Sequence, residues 1–208
     1  MIIKTFISGA LQQNTYLLID EESKEAIVID LGGNFKAIKT AVESAGAKLK
    51  FVLNTHGHFD HILGEVELQE SDLNVPIYMH KDDKFHADNI EASLKRWGLG
   101  ESCPPVKITE FIDENSDLSI GKYKIKAFHT PGHSKGGMCY LIDGNLFSGD
   151  TLFFGSVGRS DFIDGNHQEL IESIKTKLMP LPDETKVYTG HGPATTIAYE
   201  KAHNSFIR

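Results

Sequence analysis

Residues 55–61 read Thr55-His56-Gly57-His58-Phe59-Asp60-His61, which puts three histidines and an aspartate within six positions. The short apolar run Phe51-Val52-Leu53 comes just before, and Leu63, Val66 and Leu68 follow at helical spacing. A strand entering a turn here would aim His56 and His58 from one loop, while Asp60 and His61 open the next helix. One loop can then serve two metal ions. Neutral imidazole and carboxylate are the ligands expected of zinc or another borderline divalent ion. The helix start adds free N–H groups and a positive dipole end, which favour a bound hydroxide. A polar turn with incidental histidines would not need this density or this order.

Working outward, Ile2 to Ser8, Thr15 to Ile19 and Ala26 to Ile29 read as strands, the last two joined by a polar Asp-Glu-Glu-Ser-Lys turn. Ala37, Ile38, Ala41, Val42 and Ala45 recur at helical spacing, with Gly46 as the stop. Val75 to Met79 is a further strand, and residues 81–105 form a polar, partly helical excursion in which Phe85, Leu94 and Trp97 are expected to pack on the core. Strands return at Lys122 to Phe128, Met138 to Ile142 and Leu146-Phe147, with Asp143-Gly144-Asn145 as a hairpin signal. Gln168 to Lys177 reads as a helix and Val187-Tyr188 as a last strand. With no linker or repeat, residues 1–208 are expected to form one domain of layered α/β or α+β architecture.

Composition narrows the function classes. The 21 basic and 29 acidic residues give a net charge of −8, and no Lys/Arg cluster stands out, so a nucleic-acid partner is disfavoured. Two cysteines without a CxxC pattern suit free thiols in a reducing compartment. The alternating N-terminus lacks a signal peptide's features, and no apolar run reaches the ~20 residues that span a bilayer. A cytoplasmic protein with no membrane partner is expected; the oligomeric state is left open.

Three more ligand-bearing pieces follow predicted strands: His129-Thr130-Pro131-Gly132-His133-Ser134, Phe147-Ser148-Gly149-Asp150-Thr151 and Tyr188-Thr189-Gly190-His191-Gly192-Pro193. Each alone is weak, but together they bring metal-binding side chains to strand ends, where loops on one sheet edge converge. With these motifs the whole chain resembles the metallo-β-lactamase superfamily. The resemblance implies a four-layer αβ/βα sandwich of the α+β class, with two divalent metal ions on one edge. These would be zinc first, with iron or manganese as options. It further implies that His56, His58 and His133 hold the first ion, that Asp60, His61 and His191 hold the second, and that Asp150 bridges both. Asp60 would also align the nucleophile. Asp30 looks like the carboxylate that orients a histidine ligand, the alternative being a turn residue. His129 and Asp161 are further candidates behind the ligands, whereas His80, His86, His167 and His203 read as surface or capping residues.

Gly149-Asp150-Thr151-Leu152-Phe153 and Gly158-Arg159-Ser160-Asp161-Phe162 are similar to the glyoxalase II branch, whose members hydrolyse thioesters of glutathione. Gly190-His191-Gly192-Pro193, Thr195-Thr196, Glu200 and Asn204 are similar to its short, single-domain bacterial members. Two departures bear on glutathione: the helical C-terminal domain of full-length members has no counterpart, and Asp161 stands where a tyrosine contact is usual. The expected function is thus hydrolysis of a small-molecule thioester such as S-lactoylglutathione. Arg159 is expected either to attract an anionic substrate or to pair with Asp161, and Phe153 and Phe154 to floor an apolar pocket. A persulfide dioxygenase of the same fold, with one iron on His56, His133 and Asp150, is the alternative, followed by a lactonase or other ester hydrolase.

Overall fold

In the computed structural model, which describes residues 1–100 and 102–208, strands β1 (Ile2–Ser8), β2 (Gln13–Ile19) and β3 (Glu25–Ile29) pair antiparallel in sequence order. Helix α1 (Phe35–Ser44) follows, and its chain reverses through Gly46 at φ +60°, where the N–H of Ala47 bonds to Val42 O at 3.0 Å. This left-handed C-terminal turn is the one the glycine was expected to supply. β4 (Lys48–Leu53) runs parallel to β3 and leads into α2 (Phe59–Ile62) and α3 (Gly64–Glu70). β5 (Ile77–Met79) then adds in parallel. A 3₁₀ turn (Lys81–Asp83), α4 (Lys84–Asp88) and α5 (Ile90–Trp97) form the excursion before the edge strand β6 (Glu110–Phe111).

The second sheet begins with the antiparallel strands β7 (Leu118–Ile120), β8 (Tyr123–His129), β9 (Met138–Ile142) and β10 (Asn145–Gly149). A small hairpin of β11 (Leu152–Phe153) and β12 (Ser156–Val157) follows, then α6 (His167–Ser173), which continues as a π-helical turn over Ile174–Leu178. β13 (Lys186–Thr189) pairs parallel to β10 and carries β14 (Thr195–Thr196), and α7 (Ile197–His203) ends the fold. The sheets are ordered β1-β2-β3-β4-β5-β6 and β14-β13-β10-β9-β8-β7.

Side-chain alternation along the strands sets the layers. Tyr16, Leu18, Ile27 and Ile29 meet Ile125, Ala127, Tyr140 and Ile142 between the two sheets. Their neighbours Leu17, Ile19 and Val28 face the other way, onto Phe35, Ile38 and Val42 of α1 and Leu68 of α3. On the far side, Cys139, Leu146 and Val187 pack on Leu170, Ile174, Leu178 and Ile197. The result is helix, sheet, sheet, helix: the expected αβ/βα sandwich. β2 is buried along its whole length because it is covered on both faces.

The excursion has its own apolar seam, in which Ala87, Ile90 and Leu94 sit on Phe59 and Ile62. Each buried Leu or Ile there contributes about 1.5–3 kcal/mol. Leu94 therefore packs as expected, but Phe85 does not: it is 66% exposed. Trp97 is half-exposed, with its ring 6.0 Å from that of Phe59. No helix among the described residues is long and apolar enough to cross a membrane.

Candidate metal centre

The carboxyl ends of β4, β8, β10 and β13 lie on one edge, and each leads into a loop with a ligand-type side chain. The two sheets are stitched together at this edge. The N–H of Asn14 donates to Gly190 O at 2.8 Å, and Gln13 bridges to His191. His58 occupies the N-cap position of α2 in extended conformation without a capping bond, which leaves its ring free for the site.

Two groups converge. In the first, His56 Nε2 lies 3.1 Å from His58 Nδ1, and His133 Nε2 lies 2.9 Å from the same atom. In the second, His191 Nε2 lies 3.2 Å from Asp60 Oδ2 and 3.3 Å from His61 Nε2. Asp150 stands between them, with Oδ1 3.3 Å from His61 Nε2 and Oδ2 3.6 Å from His133 Nε2. All seven side chains expected at the site are brought together.

The outer nitrogens of four rings are held from behind, which fixes the tautomers. His61 Nδ1 donates to Asp30 Oδ2 (2.9 Å), His133 Nδ1 to Arg159 O (2.7 Å) and His191 Nδ1 to Leu11 O (2.9 Å). His56 Nδ1 meets Thr55 Oγ1 at 3.1 Å, and that hydroxyl donates to Asp30 Oδ2 at 2.7 Å. The Nε2 atoms of His56, His61, His133 and His191 therefore face inward, where each can offer its lone pair to a cation. Asp30, fully buried at φ +56°, also accepts Thr55 N–H at 2.7 Å and so anchors both groups.

This donor set fits divalent cations. Burial, reinforced by the neighbouring imidazoles, holds His56 well below its ordinary pKa and His58 down to about 3. With His58 Nδ1 3.1 Å from His56 Nε2 and 2.9 Å from His133 Nε2, a single ring proton serves at most one of the two contacts, whereas a cation among the three nitrogens serves all of them. Burial pushes Asp150 up, but His61, His133 and His191 outweigh it and hold the carboxylate ionised; its buried Oδ1 still has no hydrogen-bond partner. Burial likewise opposes charge on His61, yet Asp150, Asp60 and Asp30 together raise its pKa. The carboxylates call for positive charge, and divalent ions supply it.

Close packing leaves the site little tolerance. A Cβ on Gly190 would fall 2.1 Å from Asp150 Oδ1 and 2.8 Å from His61 Cε1. The sequence reading missed Asp83, a fully buried carboxylate that accepts from Gly57 N (2.8 Å), Ser134 Oγ (2.7 Å) and Gly136 N (2.5 Å). It ties the His56–His58 loop to the His133 loop. Thr55 was missed for the same reason: only its contacts, not its residue type, reveal its role.

The other candidates fall in different places. Phe153 faces the site, with its ring 6.4 Å from His191, whereas Phe154 stacks on Tyr199 of α7, away from the expected pocket floor. Arg159 makes a two-pronged bond with Asp161 (3.0 and 2.9 Å) and lies over Phe162 at 4.7 Å; the Asp161 side chain is 69% exposed and bonds no ligand. His129 donates to Lys135 O at 2.8 Å and stacks on His80, supporting the His133 loop without reaching a ligand ring. His80 caps the 3₁₀ turn as a capping residue should. His86 is neither surface nor cap: its side chain is mostly buried, and Nε2 lies 2.8 Å from Asp164 Oδ2.

A family model described as the metallo-beta-lactamase superfamily matches residues 8–191. Among curated proteins, a probable metallo-hydrolase of Bacillus subtilis, YqgX, is 36% identical over 96% of this chain and 94% of its own length. The hydroxyacylglutathione hydrolase GloC of Haemophilus influenzae is 35% identical over 95% of this chain and 94% of its own. Among solved structures, the BLEG-1 B3 metallo-beta-lactamase superposes with a TM-score of 0.87 at 34% identity, covering 99% of both chains. TTHA1623 in a di-iron-bound form gives 0.84 at 33%, covering 98% of this chain and 99% of its own.

Proposed function

The chain belongs to the metallo-beta-lactamase superfamily, and on that premise we propose that it is a dinuclear metal-dependent hydrolase that cleaves small-molecule thioesters such as S-lactoylglutathione. The observation that carries this reading is the double triad: His56, His58 and His133 on one side, Asp60, His61 and His191 on the other, with Asp150 between them. A one-iron dioxygenase would leave the second triad without a role. The relationship to a hydroxyacylglutathione hydrolase over nearly the full length supports the thioester.

The first triad and Asp150 would hold one ion, and the second triad and Asp150 the other, zinc being the first choice for His/Asp donors and iron or manganese the alternatives. Ions held there would supply an activated water at neutral pH and polarisation of a carbonyl oxygen. Asp60, with Oδ2 beside His191, orients the nucleophile through its carboxylate. Asp30 and Thr55 keep His61 and His56 in the ligating tautomer. A thiolate of pKa ~8.5 leaves without a dedicated general acid, which suits a site where the inner groups are ligands. Phe153 gives the acyl chain an apolar wall. Arg159 is engaged by Asp161, so an anionic substrate would compete with that pair.

Purified protein offered S-lactoylglutathione in one assay and glutathione persulfide in an oxygen electrode separates the readings. Thioester hydrolysis without oxygen uptake is expected; oxygen uptake without hydrolysis would sink the proposal in favour of the dioxygenase.

A further inference from the structure

Four of the five clustered histidines have their outer nitrogen held by a named acceptor; His58 does not. Its Nδ1 faces His56 and His133, and its Nε2 makes no hydrogen bond among the described residues. Close by is a complementary orphan. Asp164 presents Oδ2 to His86 Nε2 at 2.8 Å, while its Oδ1 is buried without any partner. His58, His86 and Asp164 each bring a ring nitrogen or carboxylate oxygen within 4.8 Å of the others. An unpartnered buried carboxylate oxygen is costly, and a ring N–H is the donor that would relieve it.

We propose that Asp164, steadied by His86, is the positioning carboxylate of His58: Oδ1 accepts the Nε2 proton of His58, Oδ2 accepts from His86, and Nδ1 of His58 is thereby kept as the ligating atom. The inference rests on His58 being a metal ligand. It assigns to this pair the service that Asp30 performs for His61.

The surroundings are built for it. His86 is pressed against the metal loop, for a Cβ on Gly57 would meet His86 Cβ at 3.0 Å and Asp83 O at 2.7 Å. The rings of His58 and His86 meet edge to face at 4.9 Å. The loop bearing Asp164 also covers the first triad from outside. Arg159 O accepts from His133 Nδ1, and the Phe162 ring lies 5.0 Å from His58 and 5.5 Å from His133. The His86–Asp164 pair therefore joins α4 to the 158–166 loop across the first triad. Anything that opens this bridge loosens His58.

The test uses zinc-loaded protein, with zinc affinity measured by chelator competition and the His58 ring observed by ¹⁵N–¹H NMR. Asp164→Ala is expected to weaken the tighter-held response of the first triad by about 10–100-fold while the zinc count at saturation is kept. The protected Nε2 proton of His58 is expected to be lost with it, a signature that a merely structural role would not move. His86→Gln retains a donor for Asp164 and is expected to stay close to wild type in both readouts. Circular dichroism identifies a variant that fails to fold, in which case His86→Ala, expected to shift the same His58 signal, decides. Unchanged affinity and an unchanged His58 proton in folded Asp164→Ala would overturn the proposal. So would loss of a zinc equivalent at saturation, which would make Asp164 a ligand. Wild-type protein that binds zinc without cleaving thioesters would sink only the proposed function, since neither readout requires turnover.

Discussion

Replacing Asp30 with Asn tests how far the site depends on one buried side chain. Asn has nearly the same shape and tolerates the left-handed backbone at φ +56°, so the change isolates charge and hydrogen bonding. The carboxylate accepts three donors: Thr55 N–H on Oδ1, and Thr55 Oγ–H and His61 Nδ1–H on Oδ2. In the better orientation the amide oxygen keeps the two donors at Oδ2, and the NH₂ confronts Thr55 N–H. That strands one buried donor at about 1–3 kcal/mol and weakens two charge-assisted bonds by about 1 kcal/mol each. The metal-free variant should therefore lose about 3–5 kcal/mol in urea unfolding, the range for breaking a buried charged contact. Zinc affinity, measured by chelator competition on folded protein, should fall about 10–100-fold because a neutral amide oxygen holds His61 and the Thr55–His56 link less firmly than a carboxylate and no longer raises the basicity of the His61 ring. A variant within about 0.5 kcal/mol of wild type, the size of an ordinary surface substitution, and with unchanged zinc affinity would refute Asp30 as the anchor of both groups.

Gly190→Ala should lower metal content and turnover together, since its Cβ would overlap Asp150 Oδ1 and crowd His61; overpacking of this kind costs about 1–3 kcal/mol, and a metal-replete, active variant would contradict the packing. Asp83→Ala should cost at least about 3 kcal/mol by stranding three donors at about 1–3 kcal/mol each and should weaken the first triad; thermal denaturation with and without zinc measures both effects. Burial pushes the Cys139 thiol up to about 11 and raises Cys103 as well. Neither should react with a thiol reagent in native protein near neutral pH, and both should react after unfolding. Rapid native labelling of Cys139 would show that the seam under α6 opens.

The strands, helices and clustered ligand-type side chains were legible in the sequence because they leave local traces, whereas the four-layer sandwich and the two sets of three came from the family resemblance. Apolar alternation marked the buried strands, and His56 to His61 carried its chemistry at fixed spacing. Features whose cause is tertiary escaped. β6 was not foreseen because Glu110 and Phe111 are exposed and pair only with β5. α7 has only Ile197 and Glu200 buried, too few positions to show a helical face. The His86–Asp164 pair joins residues 78 positions apart, so His86 read as a surface or capping residue. Phe154 looked like pocket floor from its nearness to Asp150 in sequence, but the β11–β12 hairpin turns it onto Tyr199. Arg159 and Asp161 were readable as a local pair, since two residues of spacing suffices.

The central claim is that two ions, held by the two triads and Asp150, perform a hydrolysis. Metal analysis and S-lactoylglutathione turnover on the same purified sample, repeated with Asp150→Ala, test it most directly. Two divalent ions per chain with turnover that disappears on chelation, and loss of both ions and activity in Asp150→Ala, are predicted. A single iron without thioester cleavage, or an active and metal-replete Asp150→Ala, would contradict the account.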